Sequence, residues 1–138
     1  MTVILVIEDD LPVRTTILDV LKAEDFDVYG ARNGVEGVHI AREHMPDLII
    51  SDVIMPALDG YGVVRELRQD PKTATIPIIL LTAKTDRHDM RQGMEYGADD
   101  YVTKPFTINE LMNAVGTQLK KRTAIVQKYE TTLRLLRK

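Results

Sequence analysis

Leu48-Ile49-Ile50-Ser51-Asp52-Val53-Ile54-Met55-Pro56 is the stretch that decides the fold. An apolar run stops at Ser51-Asp52, and a proline closes the segment. A run this short and this rich in β-branched residues predicts a strand buried on both faces, as inside a parallel sheet. The carboxylate of Asp52 then stands where the strand leaves the core. In open α/β sheets, ligands bind outside the carboxyl ends of the strands. Asp52 is therefore the candidate reacting group.

Working outward, Val3 to Ile7 is a second unbroken apolar run, ending at Glu8-Asp9-Asp10. Asp10 is placed to cap a helix whose first turn tolerates Pro12, and Val13, Ile17, Val20 and Leu21 recur at helical spacing. A short strand is expected over 27–31, then a helix to about His44 capped by the pair Asn33 and Glu36. After the Leu48 strand comes a helix over 60–68, with Val63, Val64 and Leu67 facing inward, broken at Asp70-Pro71-Lys72. Residues 76–81 read as another buried strand ending at Thr82-Ala83. A helix over 86–96 follows, with Gly97 as its C-cap. Tyr101-Val102 is a brief last strand ending at Thr103-Lys104-Pro105. Thr107 and Glu110 form a capping box for a long final helix. Five alternations of strand and helix require a parallel sheet with right-handed crossovers. The expected architecture is a three-layer α/β/α sandwich on a five-stranded parallel sheet, with an extended C-terminal helix.

A chain of 138 residues with 44% hydrophobic and 28% charged residues has the composition of one globular domain and not of a disordered segment. It contains no cysteine, which excludes disulfides and thiolate metal sites and is compatible with a reducing cytoplasm, the expected location. The start, MTVILVIEDD, has no basic region and too short an apolar run for a signal peptide or a membrane span. Charge is uneven: residues 1–117 carry 11 basic and 20 acidic groups, and residues 118–138 carry 7 basic and 1 acidic. So acidic a body argues against direct nucleic-acid binding.

Four of the buried strands end in polar groups: Glu8 and Asp9, Asp52, Thr82, and Lys104. In a parallel sheet those ends share one edge. Three carboxylates there repel, by about 4 kcal/mol per pair at 4 Å and an effective dielectric of 20. A hard cation offsets this, and Mg²⁺ accepts a few carboxylates while keeping waters and an open position. Lys104 adds a point charge for an anion and Thr82 a hydroxyl donor. Together they describe a phosphoryl-transfer site with a carboxylate nucleophile. Taken singly, each has an ordinary reading: Glu8-Asp9-Asp10 a helix-capping turn, Asp52 an Asx-turn former, Thr82 a strand end, Lys104 a solvated loop cation. The combination at one edge favours chemistry.

VIEDD after the first strand, SDVIMP with Asp59-Gly60 after the third, LLTA ending at Ala83, and GADDYVTKPF from Gly97 to Phe106 together resemble the receiver domain of two-component response regulators, over about residues 2–119. The resemblance implies the CheY-like, flavodoxin-like strand order 2-1-3-4-5. It implies that Asp52 accepts a phosphoryl group from a sensor histidine kinase or phosphotransfer protein. It implies that Asp9, Asp52, Glu8 (directly or through water) and the Ile54 carbonyl ligate Mg²⁺. Lys104, the Thr82 hydroxyl and the Ala83 N–H would hold the phosphoryl oxygens. Tyr101 would turn inward as Thr82 moves, shifting the face of the fourth helix, fifth strand and fifth helix; by residue chemistry alone, Tyr101 is an ordinary half-buried strand tyrosine. Ile54 and Lys84 flank the site and would tune phosphate lifetime. Such a domain is a signalling acceptor rather than an enzyme in its own right.

The rival readings each miss a residue. A flavin or nucleotide domain on the same fold would need a Ser/Thr/Gly-rich loop where the acids Glu8-Asp9-Asp10 stand, and Gly60-x-Gly62 lacks the third glycine of a dinucleotide fingerprint. An aspartate-nucleophile phosphatase would need an acid at Ile54. A receiver that only docks would not need a complete site. His39, His44 and His88 are scattered and the methionines read as filler.

Met112, Val115, Leu119, Arg122, Val126, Tyr129, Leu133 and Leu136 fall on alternating steps of three and four, an a/d seam continuous with the last helix. We expect a receiver domain over 1–119 and a helical, coiled-coil extension over 120–138 that forms a parallel homodimer; a helix folded back on its own domain is the alternative. Lys138 follows without a stop signal, so a longer parent is expected. A histidine-kinase module is the favoured continuation, ahead of a transcription factor or a single-domain regulator.

Overall fold

The computed structural model describes residues 1–83 and 87–137, without the side chains of 87–90. Lys84, the expected helix start at Asp86, the His88 side chain and Lys138 lie outside the described residues. The order is β1 (Val3–Ile7), α1 (Leu11–Ala23), β2 (Asp27–Ala31), α2 (Gly34–His44), β3 (Leu48–Asp52), α3 (Gly60–Gln69), β4 (Ile78–Ala83), α4 (Arg87–Tyr96), β5 (Asp100–Lys104) and α5 (Ile108–Leu136). The strands pair in parallel in the order β2-β1-β3-β4-β5, as expected.

Alternation along each strand divides the core. Ile4 and Val6, Leu48 and Ile50, and Ile79 and Leu81 meet Ile17 and Leu21 of α1 and Leu111 and Val115 of α5. Leu5 and Ile7, Ile49, and Ile78 and Leu80 meet Val38 and Ala41 of α2 and Val63, Val64 and Leu67 of α3. Because both faces are covered, the strands read as continuous apolar runs rather than as alternating ones. Each fully buried aliphatic side chain is worth about 1.5–3 kcal/mol relative to exposure.

Side-chain caps start four of the helices. Asp10 accepts from the Val13 N–H at 3.1 Å, Asn33 from Glu36 at 2.8 Å, Asp59 from Gly62 at 2.8 Å, and Thr107 from Glu110 at 3.1 Å. All four caps lie in loops leaving the carboxyl edge of the sheet, so helix initiation also shapes that edge. Glu36 reaches back to the Arg32 N–H at 3.3 Å, one residue short of the position a capping box uses.

Two strands differ from the expected spans. β4 starts at Ile78 rather than Ile76, because the Ile76 N–H closes a turn onto the Thr73 carbonyl and Pro77 has no N–H for a ladder. It continues through Thr82 and Ala83, which pair with Thr103 and Lys104. β5 is thereby five residues long rather than two. It is an edge strand, so its polar residues face water without breaking it.

α5 is one unbroken helix to Leu136. Met112, Val115 and Leu119 pack on the core, whereas Ile125, Val126, Tyr129 and Leu136 are exposed. Arg122, expected in the seam, turns to its own body, donating to the Thr75 carbonyl at 3.4 Å and lying 3.9 Å from Asp47. Between this part of α5 and Thr75, Pro77 and Asp99 lies an apolar groove of about 830 Å³. No helix among the described residues is long and apolar enough to cross a membrane.

Candidate functional site

The parallel register brings the expected strand ends together. Ser51 lies beside Ile7, Asp52 beside Leu81, and Ala83 beside Lys104. One carboxylate oxygen from each of Glu8, Asp9 and Asp52 falls within 4.8 Å of the others. Glu8 and Asp52 are buried and Asp9 is exposed, so the cluster opens to solvent on the Asp9 side.

Lys104 closes the inner side. Its Nζ lies 3.0 Å from Glu8 Oε1 and 3.1 Å from Asp52 Oδ1, and Asp52 Oδ1 also accepts from the Val53 N–H at 3.0 Å. Burial pushes the Glu8 carboxyl from 4.5 up to about 7; the Lys104 hydrogen bond opposes that rise and the Asp52 charge adds to it. Burial also works against the Lys104 charge, but hydrogen bonding to Glu8 and the attraction of Asp52 outweigh it and hold the ammonium above its ordinary value.

Thr82 is buried, and its Oγ1 has no hydrogen-bond partner among the described residues. A buried hydroxyl left unpaired costs about 1–3 kcal/mol. Thr82 and Tyr101 both line a gap too narrow for water, with Val53, Leu80 and Ala98. Tyr101 is 37% exposed, the outward position. Ile54 is 70% exposed.

Gly60 sets how closely α3 approaches the site. A Cβ there would lie 2.5 Å from the Asp52 carbonyl oxygen and 2.8 Å from Val53 Cα, and the Gly60 N–H donates to the Val53 carbonyl at 2.8 Å. Sequence reading gave Gly60 only as part of a motif. It missed Arg14, whose Nη1 donates to the Glu8 carbonyl at 2.7 Å; a cation one turn into the helix after an acidic turn was the available signal.

A clustered acid triad, a half-buried lysine and a buried hydroxyl without a partner among the described residues, on one edge of a 2-1-3-4-5 sheet, call for comparison with known proteins. The model of the response regulator receiver domain matches residues 4–116. The chain belongs to that family. The receiver is 39% identical over 124 residues to the DNA-binding dual master transcriptional regulator RpaA of Synechocystis, covering 90% of this chain and 52% of that protein. It is 36% identical over 126 residues to histidine kinase P4 of Formosa agariphila, covering 91% of this chain and 9% of that protein. Among solved structures it resembles the signal receiver domain of a signal transduction histidine kinase from Syntrophus aciditrophicus, at 38% identity and a TM-score of 0.82, covering 88% of this chain and 92% of that one. The receiver thus spans about half the length of the Synechocystis regulator. Receivers act in two-component signalling, and accepting a phosphoryl group is the family's general role.

Proposed function

We propose that Asp52 is the phosphoacceptor and that this receiver takes its phosphoryl group from the phosphohistidine of a sensor histidine kinase or phosphotransfer protein. An Asp52 carboxylate oxygen attacks phosphorus, the P–N bond breaks, and the imidazole leaves. The observation that carries this reading is the double contact of Lys104, at 3.0 Å to Glu8 and 3.1 Å to Asp52. It holds one cation where the transferred oxygens arrive.

The donor set fits Mg²⁺: carboxylates of Glu8, Asp9 and Asp52, all hard oxygen ligands, open to solvent at Asp9. The Ile54 carbonyl is the further ligand we assign. Bound there, the ion would offset the carboxylate charge and the charge developing on the phosphoryl oxygens. Lys104 and the Ala83 N–H bind those oxygens, and Thr82 donates its unpaired hydroxyl to them. Drawn toward the phosphoryl group, Thr82 vacates space at the gap it shares with Tyr101. Tyr101 then turns inward and shifts the α4-β5-α5 face between two packings. The chain is a cytoplasmic signalling acceptor and not an enzyme acting on a separate substrate, and its acidic body does not bind nucleic acid.

Residues 1–119 form the receiver proper, and 120–138 form an extension that joins two copies in parallel and leads toward a kinase module. Support comes from the exposed Val126, Tyr129 and Leu136 on one helical stripe and from the diversion of Arg122 out of that stripe.

The test is uptake of phosphate from a small acyl phosphate, read by intact-mass spectrometry. Uptake with Mg²⁺ that disappears in EDTA and falls at least tenfold in Lys104→Met supports the assignment. No uptake with Mg²⁺, or equal uptake in EDTA, contradicts it.

A further inference from the structure

The acidic turn after β1 is anchored unevenly. Lys104 holds the Glu8 carboxylate, and Lys104 and the Val53 N–H hold that of Asp52. Asp9 is exposed, and among the described residues its carboxylate accepts no hydrogen bond. Its position in the cluster is therefore set by its backbone.

That backbone is clamped on both sides by the first turn of α1. On the far side, Asp10 accepts through Oδ1 from the Val13 N–H at 3.1 Å and through its carbonyl from the Arg14 N–H at 2.9 Å. On the near side, Arg14 Nη1 donates to the Glu8 carbonyl at 2.7 Å, and the Glu8 N–H donates to Ala31 at 3.0 Å. Beside three acids, the guanidinium makes its short bond to a main-chain oxygen, and among the described residues it forms no ion pair. The arginine stem passes over Gly30 on β2: a Cβ there would touch Arg14 Cδ at an ordinary 3.4 Å and press on Leu18 Cδ1 at 3.0 Å.

We propose that Arg14 is a positioning residue for the metal ligand Asp9. By fixing the Glu8 carbonyl it fixes the peptide that carries Asp9, and so aims that carboxylate at Glu8 and Asp52. The proposal rests on the Mg²⁺ reading above. Charge-assisted hydrogen bonds are about twice as strong as neutral ones, and removing a group that orients a metal ligand commonly weakens metal affinity about 10–100-fold.

The two roles open to the guanidinium have opposite signs. As a bare positive charge it would repel Mg²⁺, so neutralising it would tighten binding. As a positioning group, its loss loosens binding. The experiment titrates Mg²⁺ alone into the ¹⁵N-labelled 138-residue chain and follows amide shifts for wild type, Arg14→Met and Arg14→Lys, with thermal melts in EDTA alongside. We expect Arg14→Met to bind Mg²⁺ about tenfold more weakly, Arg14→Lys to lie between it and wild type, and the metal-free melts to stay close together. Unchanged or tighter binding by Arg14→Met overturns the proposal. Should Arg14→Met not fold, Arg14→Lys decides: weaker binding than wild type supports the proposal, and equal binding overturns it. Wild type that binds no Mg²⁺ removes the metal reading itself, a result distinct from a variant that binds as well as wild type.

Discussion

Burial raises the Glu8 carboxyl above the ordinary carboxylate range. Its folded-state pKa of about 7 lies above its ordinary 4.5. Between those values the folded chain keeps a proton that the unfolded chain has lost, so this group lowers stability as pH rises through the window, and the loss is complete above pH 7. The raised pKa of Lys104 gives a pH dependence of the same sign, but its contribution is fully present below the ordinary lysine value and so is constant across this window. Urea denaturation should therefore show the metal-free protein more stable at pH 5.5 than at pH 8, by on the order of 1–3 kcal/mol, and Glu8→Gln should flatten that dependence. Mg²⁺ competes with the same proton, so its stabilising effect should be larger at pH 8. Thr82 poses a second test at this scale. Thr82→Val removes a buried hydroxyl that has no partner among the described residues, at almost constant volume. Urea denaturation should show the unphosphorylated variant about 1 kcal/mol more stable than wild type. The shift of Tyr101 resonances on phosphorylation should be lost. A destabilised Thr82→Val would mean that the hydroxyl has a partner after all.

Among the elements, α5 offers the cleanest measurement. Gly116 lies inside it, and a Cβ there would meet nothing within 4 Å. Gly116→Ala should raise stability by about 1 kcal/mol through helix propensity alone, measured by urea denaturation. Gly60 at the start of α3 is the opposite case, since any side chain there strikes the Asp52 main chain. Neither distinction can be read from sequence, where both are simply glycines in helical segments. The central strands were legible because burial on both faces leaves an unbroken apolar run, as at Val3–Ile7 and Leu48–Asp52. β5 was underestimated because an edge strand needs no such run, and β4 was shifted by two residues because Pro77 sits inside the apolar stretch without ladder capacity. The caps at Asp10, Asn33 and Thr107 were legible because capping is a local hydrogen bond between near neighbours.

For the whole molecule, the gathering of Glu8, Asp9, Asp52, Thr82 and Lys104 was legible because parallel topology alone sends every strand end to one edge. Arg14 was not, because its bond to the Glu8 carbonyl depends on the path of one long side chain past Gly30. The seam of α5 was legible as a period but not in its partition: residues up to Leu119 serve the core, Arg122 clasps the body, and the stripe from Val126 onward is left open. Light scattering should give a dimeric mass for this chain and a monomeric mass for Tyr129→Glu; a monomeric wild type at high concentration contradicts the coiled-coil reading and leaves the site chemistry untouched. That chemistry rests on one carboxylate becoming an acyl phosphate. The most direct measurement is the intact mass of wild type and of Asp52→Ala after incubation with a small acyl phosphate and Mg²⁺. Wild type should carry a single phosphoryl adduct and Asp52→Ala none; the same adduct on both proteins contradicts the assignment of Asp52.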